Sequence, residues 1–229
     1  MEVLYAIGHI DTVWSDNLPY FGMLIEWLKV VPAVLISLTF HEVCHGYVAY
    51  LLGDPTAKNA DRLTLNPLKH IDPIGLICMI VARFGWAKPV PVNMYYFKNP
   101  KRDMAIVAFA GPLSNLLLGL ICVFAYYALM LYMPTSAFFT AMSEFIALIA
   151  IISVGFAVFN LIPLPPLDGS RILALVIPNH FYYKLMQYEH YIQLGFMLLL
   201  FLGVLTVPLG YARSFVMGGI ERFVRWIML

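Results

Sequence analysis

Long apolar runs alternate with polar, proline-rich stretches along this chain of 229 residues. Four apolar runs, residues 32–52, 103–132, 138–162 and 191–207, are long enough or nearly long enough to cross a bilayer as helices. A spanning helix needs roughly 20 apolar residues, because the hydrocarbon core is about 30 Å thick and each helical residue rises about 1.5 Å. The pattern therefore predicts an all-α polytopic membrane protein with about four transmembrane helices.

The polar region between the first two runs, residues 53–102, contains one short apolar segment, residues 74–86. About 13 residues are too few to span as a helix, so we predict a re-entrant or β-hairpin segment there. Residues 21–29 precede the first run. They form either an interfacial helix or a continuation of the first span through a kink at Pro32.

These segments divide the chain into three parts. Residues 1–31 are a lead-in that includes the possible interfacial helix, residues 32–210 are the membrane core, and residues 211–229 form a tail. The tail carries three arginines among apolar residues, which is typical of an amphipathic helix that lies on the membrane surface.

Composition and charge agree with a membrane protein. Hydrophobic residues make up 62% of the chain and charged residues only 12%, whereas a soluble domain carries about 25% charged residues. The net charge of +1 gives no indication of nucleic-acid binding. Eight of the 14 lysines and arginines lie between residues 58 and 102, so the positive-inside rule predicts that residues 53–102 are cytoplasmic in a multi-pass protein of the cell membrane.

Two histidines and a glutamate lie inside the first predicted span, in the sequence FHEVCHG at residues 40–46. His41 and His45 are one helical turn apart on the same face, so both imidazoles can reach one zinc ion. Glu42, beside the first histidine, has the position of a general base that takes a proton from the attacking water. Ionisable groups are costly inside a bilayer, and their presence there indicates a functional site.

A catalytic zinc usually has three protein ligands, and Asp168 is the best candidate for the third. It follows a run of prolines in NLIPLPPLDG, residues 160–169, where no regular helix can continue. The end of the first span, at residue 52, lies about 16 Å along the helix from His41 and about 10 Å from His45. The third span returns to that same predicted side of the membrane just before Asp168. Asn160 is either a helix cap or a hydrogen-bond donor to substrate, and we favour the donor. His70 is expected to fix a loop.

Taken together, these motifs resemble those of the site-2 protease family of intramembrane zinc metalloproteases. The similarity extends to GPLSN at residues 111–115, to LTLNP at 63–67 and to GWAKPVPVN at 85–93, and covers most of the chain from residue 32 to residue 168. The chain resembles the compact prokaryotic members of the family, which lack PDZ and CBS domains. The resemblance implies zinc ligation by His41, His45 and Asp168, catalysis by Glu42 and substrate contact by Asn160.

The family cuts transmembrane segments of other proteins, so the resemblance implies a transmembrane protein substrate within the lipid bilayer, and regulated intramembrane proteolysis. Two other functions remain open at this stage. An ion transporter would use in-membrane histidine and carboxylate groups as an ion path, and a zinc-binding scaffold would hold membrane partners without cutting them. The oligomeric state is open as well.

Overall fold

The computed structural model describes residues 20–75, 78 and 88–229, and over these residues the chain is helical with no β-strand. In chain order the helices are α1 (Tyr20–Leu51), α2 (Thr56–Asn59), α3 (Pro100–Tyr132), α4 (Ala137–Asn160), α5 (Asp168–Leu173), α6 (Asn179–Gln187), α7 (Glu189–Phe201) and α8 (Thr206–Met228). Short 3-10 turns lie at Pro67–Lys69 and Met94–Tyr96.

Three helices in this part of the chain are long and apolar enough to cross a membrane: Leu28–Leu51 within α1, then α3 and α4. A fourth span exists if α7 and α8 are counted together, although they are bent by 85°. The all-α membrane architecture is thereby confirmed. Most of the predicted re-entrant segment, residues 74–86, lies outside the described residues. Residues 1–19 of the lead-in lie outside them as well.

The helix that contains the first predicted span begins well before it, because α1 continues without interruption from Tyr20 through Pro32 to Leu51. Of the two alternatives for residues 21–29, the continuation is therefore correct. The helix ends at Leu51, within one residue of the end of the predicted run, and Gly53 follows with a φ of +105°, in the region that glycine adopts without steric cost. The next amide, of Asp54, donates to the carbonyl of Ala49 at 2.9 Å and closes the end of the helix.

The predicted fourth span differs in detail from the structure. Instead of one helix over residues 191–207, α7 ends at Phe201 and α8 begins at Thr206. Gly203 lies between them with a φ of +71°, a left-handed conformation that breaks a right-handed helix. The chain therefore turns sharply at this point, and the tail helix begins within the predicted span.

The core lies where α1, α3, α4 and α8 meet. Small residues allow close approach: Ala33 and Ala150 are fully buried, and Ser37 of α1 lies 2.7 Å from Ser153 of α4 between their hydroxyl oxygens. Met217 and Val224 of α8 are also fully buried in this core. The tail therefore packs one face against the core, while Tyr211, Phe215 and Trp226 remain exposed.

Candidate active site

Three side chains of metal-ligating type converge beside the C-terminal part of α1. The Nε2 atoms of His41 and His45 are 3.0 Å apart, and the Oδ2 atom of Asp168 lies 3.1 Å from the first and 3.2 Å from the second. Both histidines are buried, with 4% and 9% of their surface exposed. The structure therefore brings together the three residues that the sequence predicts as zinc ligands.

The loop between α4 and α5 delivers Asp168 to the two histidines. Asp168 is the first residue of α5, and the preceding loop turns on hydrogen bonds from Leu164 to Ile162 and from Leu167 to Leu164. A Cβ atom at Gly169 would overlap the carbonyl oxygens of Leu161 and Ile162, so the loop closes tightly only because this residue is glycine. The proline-rich loop and Gly169 together fix the position of the carboxylate.

The histidine rings pack against α3, at a glycine. A Cβ atom at Gly111 would overlap the Nε2 atom of His45 and would lie 2.6 Å from Cε1 of His41, far inside van der Waals contact. The sequence marks this residue only as the first of the GPLSN motif. Gly111 has a specific role in the structure, because the absence of a side chain leaves the space that the two imidazoles occupy.

Two further groups of α3 meet the outer edges of the rings. Nδ1 of His45 donates a hydrogen bond to the carbonyl of Val107 at 2.7 Å. Nδ1 of His41 lies 3.2 Å from Nδ2 of Asn115, which is fully buried. Neither contact was predicted. The backbone carbonyl has no sequence signature, whereas a buried amide in an apolar span is a signal that sequence reasoning could have used.

The Glu42 carboxylate points to a different partner. Its Oε2 atom accepts a hydrogen bond of 2.7 Å from the backbone N–H of Val90. Val90 belongs to a segment without regular secondary structure that we call the proline strap, residues 88–93. The strap lies against α1 one turn further along, where a Cβ atom at Gly46 would approach Cγ1 of Val90 to 2.9 Å. Glu42 is therefore adjacent to the His–His–Asp cluster without belonging to it.

Buried polar residues hold the proline strap in place. Asp54 is fully buried and accepts a hydrogen bond of 2.7 Å from the amide of Asn93. Arg62 donates to the carbonyl of Lys88 at 2.6 Å, and the amide of Lys88 donates to the carbonyl of His70. His70 itself contacts the carbonyl of Thr64 at 2.8 Å through Nε2, which confirms its loop-fixing role.

Asn160 lies at the C-terminal end of α4. Its Nδ2 donates to the carbonyl of Phe156 within the same helix at 3.0 Å. Within the described ranges, no hydrogen bond joins its side chain to the His–His–Asp cluster. One of its two amide hydrogens is thus used within its own helix, and the other remains for a partner.

The cluster has the composition and dimensions of a zinc site. Two ligand atoms at about 2.0–2.1 Å from a tetrahedral zinc are roughly 3.3 Å apart, close to the separations of 3.0, 3.1 and 3.2 Å found here. The Oδ2 atom of Asp168 is buried and faces the Nε2 atoms of both histidines, and a bound cation would offset the cost of burying this carboxylate. Among the described residues, His41, His45 and Asp168 form the group of three that could hold a metal ion.

Apolar spanning helices around a buried His–His–Asp cluster define an all-α membrane protein with a metal centre. The sequence profile described as peptidase family M50 matches residues 29–202. The chain therefore belongs to peptidase family M50, the site-2 protease family, and it is a metalloprotease with zinc as its cofactor.

Several similar proteins carry provisional names as zinc metalloproteases. YwhC of Bacillus subtilis is 43% identical over 198 residues, which cover 85% of this chain and 87% of that protein. Rip2 of Mycolicibacterium smegmatis is 34% identical over 74% of this chain and 65% of its own length. MJ0611 of Methanocaldococcus jannaschii is 30% identical over 73% of this chain and 80% of its own length. No solved structure matches the chain at a significant level.

Proposed function

We propose that this protein is an intramembrane protease, which hydrolyses peptide bonds within or near the transmembrane segments of membrane-protein substrates. The proposal rests on the position of the cluster between the two ends of the candidate membrane span. His41 lies about 20 Å along the helix from Leu28 and about 15 Å from Leu51, the two ends of the candidate span. A peptide bond that reaches this cluster must therefore enter the region of the membrane.

His41, His45 and Asp168 would hold the zinc ion through two imidazole nitrogens and one carboxylate oxygen. Three protein ligands leave a fourth position, as in other catalytic zinc sites. Bound zinc supplies Lewis acidity, which polarises the scissile carbonyl and lowers the pKa of water toward about 7. The tight packing of both imidazoles against Gly111 keeps the two nitrogen ligands aimed at one point.

Glu42 is the proposed general base. The N–H of Val90 fixes its Oε2 atom, so that Oε1 takes the proton from the attacking water and later passes it to the leaving amine. Asn160 is the proposed substrate-binding residue. Its second amide hydrogen would donate to the substrate carbonyl oxygen, on which negative charge develops during attack.

A transmembrane substrate must lose part of its helix before its carbonyl can reach the cluster, because helical backbone groups already pair with each other. The proline strap has few free backbone N–H groups that could donate hydrogen bonds to an unwound substrate. Pro89 and Pro91 have no N–H, and the N–H groups of Val90 and Asn93 are donated to Glu42 and Asp54. Contact with the strap would therefore use its carbonyl groups and the N–H of Val92.

The two rival functions account less well for the site. A transporter would distribute its ionisable groups along a path through the membrane, whereas the three ligands here meet at one point. A zinc-binding scaffold has no need for a carboxylate beside the metal cluster, yet Glu42 is held there by a hydrogen bond. The proposal is tested by locating the cut in a transmembrane substrate, which is expected inside the membrane-spanning segment.

The proposed catalytic core comprises residues 32–210, in agreement with the match to the family over residues 29–202. Residues 1–31 are the proposed lead-in and residues 211–229 the proposed tail. We also propose a multi-pass arrangement in the cell membrane with residues 53–102 in the cytoplasm. The C-terminal ends of α1 and α4 then lie on the cytoplasmic side, on which Asp168 enters the site.

The orientation predicts a clear labelling result. A cysteine introduced by Asn59→Cys, at an exposed position of α2, should resist a membrane-impermeant thiol reagent in intact cells and react after lysis. Thr135→Cys, in the exposed turn between α3 and α4, is the matched control and should react in intact cells. Labelling is measured above the background of the native cysteines. Reversed labelling of the two positions would overturn the orientation.

The packing of Gly111 predicts that a single methyl group disrupts metal binding. Gly111→Ala should displace both imidazoles and weaken zinc binding at least tenfold, a loss comparable to that caused by altered partners of metal ligands. Gly119→Ala is the matched control, since its Cβ atom would crowd Val154 instead of the site. Gly119→Ala should lower thermal stability and retain zinc. Equal zinc affinity in Gly111→Ala and the wild type would contradict this reading of the site.

A further inference from the structure

The two histidines of the cluster face α3 with their second ring nitrogens. For His45 the partner is the carbonyl of Val107, 2.7 Å from Nδ1. A carbonyl oxygen only accepts hydrogen bonds, so Nδ1 carries the ring proton. The lone pair of a neutral imidazole then lies on Nε2, the atom that points into the cluster. The backbone of α3 thus selects the metal-binding tautomer of His45.

His41 needs the same arrangement, because its Nε2 atom also points into the cluster. A metal on Nε2 requires the proton on Nδ1, and that proton requires an acceptor. The side chain within reach is Asn115, whose Nδ2 lies 3.2 Å from Nδ1. An amide has an accepting oxygen on its other side, and a half-turn about the Cβ–Cγ bond exchanges the two ends.

The amide oxygen of Asn115 is free to take this role. Oδ1 is buried without a hydrogen-bond partner, although Asn115 is fully enclosed within a spanning helix. A buried amide is costly in an apolar setting unless its polar atoms are used. After the half-turn, Oδ1 accepts the proton of His41 Nδ1, and the ring is fixed with its Nε2 lone pair directed at the metal.

The positions on α3 support the same conclusion. Val107, Gly111 and Asn115 are spaced by four residues and therefore form one stripe along the helix. The stripe presents a carbonyl acceptor to His45, a space for both rings, and an amide to His41. One face of a single helix thereby orients both histidines of α1.

We propose that Asn115 is a positioning residue, which holds His41 in the Nδ1–H tautomer through its amide oxygen and so sets the zinc affinity of the site. This inference rests on the proposed role of His41 as a zinc ligand. It adds a requirement for an acceptor at residue 115, which neither the family match nor the ligand set states. Asn115 acts through His41 and does not itself contact the metal.

Four variants of α3 test the proposal. Asn115→Leu keeps the branching and the number of heavy atoms of the side chain, although its two methyl groups are bulkier, and it removes the acceptor. Asn115→Asp keeps an oxygen at the same place, as in the carboxylate–histidine–zinc arrangements of many metal sites. Ser114→Ala is the matched control, because the Ser114 hydroxyl contacts only backbone carbonyls, those of Gly111 at 2.7 Å and Phe40 at 3.5 Å, and neither ring nitrogen. Asn115→Ala is measured beside Asn115→Leu, so that a folding defect of the larger side chain does not decide the result.

The measured quantity is the zinc dissociation constant of detergent-purified protein, obtained by competition with a chelator, together with the absorption spectrum of the cobalt-substituted protein. Asn115→Leu and Asn115→Ala should bind zinc about 10–100-fold more weakly, the usual effect of losing a hydrogen-bond partner of a metal-bound histidine. Asn115→Asp and Ser114→Ala should remain close to the wild type. The cobalt spectrum should change in Asn115→Leu and keep its shape in Asn115→Asp.

Two results would overturn the proposal. The first is zinc affinity in Asn115→Leu and Asn115→Ala equal to that of the wild type. The second is an equal loss in Asn115→Asp, which would indicate a packing role for the amide. Failure of the ligand assignment itself gives a different pattern, since the wild type would then lack zinc or His45→Ala would retain it.

Discussion

Replacement of Glu42 by glutamine is expected to stop peptide cleavage and to leave zinc bound. The amide keeps the size and shape of the side chain, and its oxygen still accepts the hydrogen bond from Val90. It cannot take a proton from the attacking water. General acid–base catalysis contributes about 10²–10⁴-fold, so the cleavage rate should fall by at least that factor.

The matched control for this variant is Glu144→Gln. Glu144 lies on α4, is 57% exposed and lies 3.7 Å from Lys29 in a surface ion pair. Its replacement changes the same chemical group at a position remote from the cluster, and the cleavage rate should stay at the wild-type value. Both rates are measured on a purified, reconstituted substrate, with zinc determined by elemental analysis. A wild-type rate in Glu42→Gln would exclude Glu42 as the base.

Loss of a ligand should produce the same loss of cleavage with a different metal content. His45→Ala removes one of the three converging ligand atoms, and Asp168→Asn replaces the anionic oxygen by an amide. Zinc affinity should fall by more than the roughly 10–100-fold that follows loss of a partner outside the ligand set. Elemental analysis should find about one zinc per chain in the wild type and little in either variant.

His180→Ala is the control for the ligand variants, because His180 is an exposed histidine on α6. It should retain zinc and activity. The three site variants then separate two roles: Glu42→Gln is inactive with zinc, whereas His45→Ala and Asp168→Asn are inactive without it. Full zinc occupancy in His45→Ala would contradict the proposed ligand set.

The parts of the site that depend on local spacing could be predicted from the sequence. His41 and His45 stand four residues apart on a helix, and a helix places such residues on one face whatever surrounds it. Asp168 was predicted because prolines forbid a helix before it and because the third span returns to the side on which the first span ends. The structure then places its Oδ2 atom within 3.2 Å of both histidines.

The parts that depend on contacts between distant segments could not be predicted in this way. The carbonyl of Val107 and the N–H of Val90 are backbone groups, which every residue carries, so the sequence does not mark them. The anchoring of the strap by Asp54 and Arg62 likewise depends on how the loop closes. Composition alone made both residues look like ordinary members of a polar loop.

The bend between α7 and α8 shows the limit of hydropathy. Residues 191–207 are apolar enough for one span, and an isolated glycine does not normally end a helix, as Gly195 inside α7 shows. Gly203 nevertheless adopts a left-handed conformation, and α8 packs Met217 and Val224 into the core. Tertiary packing therefore overrides the simple reading of the apolar run.

The site of cleavage in a transmembrane substrate tests the central claim most directly. The purified protein is reconstituted in liposomes with a single-span substrate, and the product masses are read with zinc present, after zinc removal, and after zinc is restored. The account predicts a cut within or next to the membrane-spanning segment, lost on zinc removal and regained with about one equivalent of zinc per chain. Cleavage confined to regions remote from the membrane, or cleavage that persists without zinc, would contradict it.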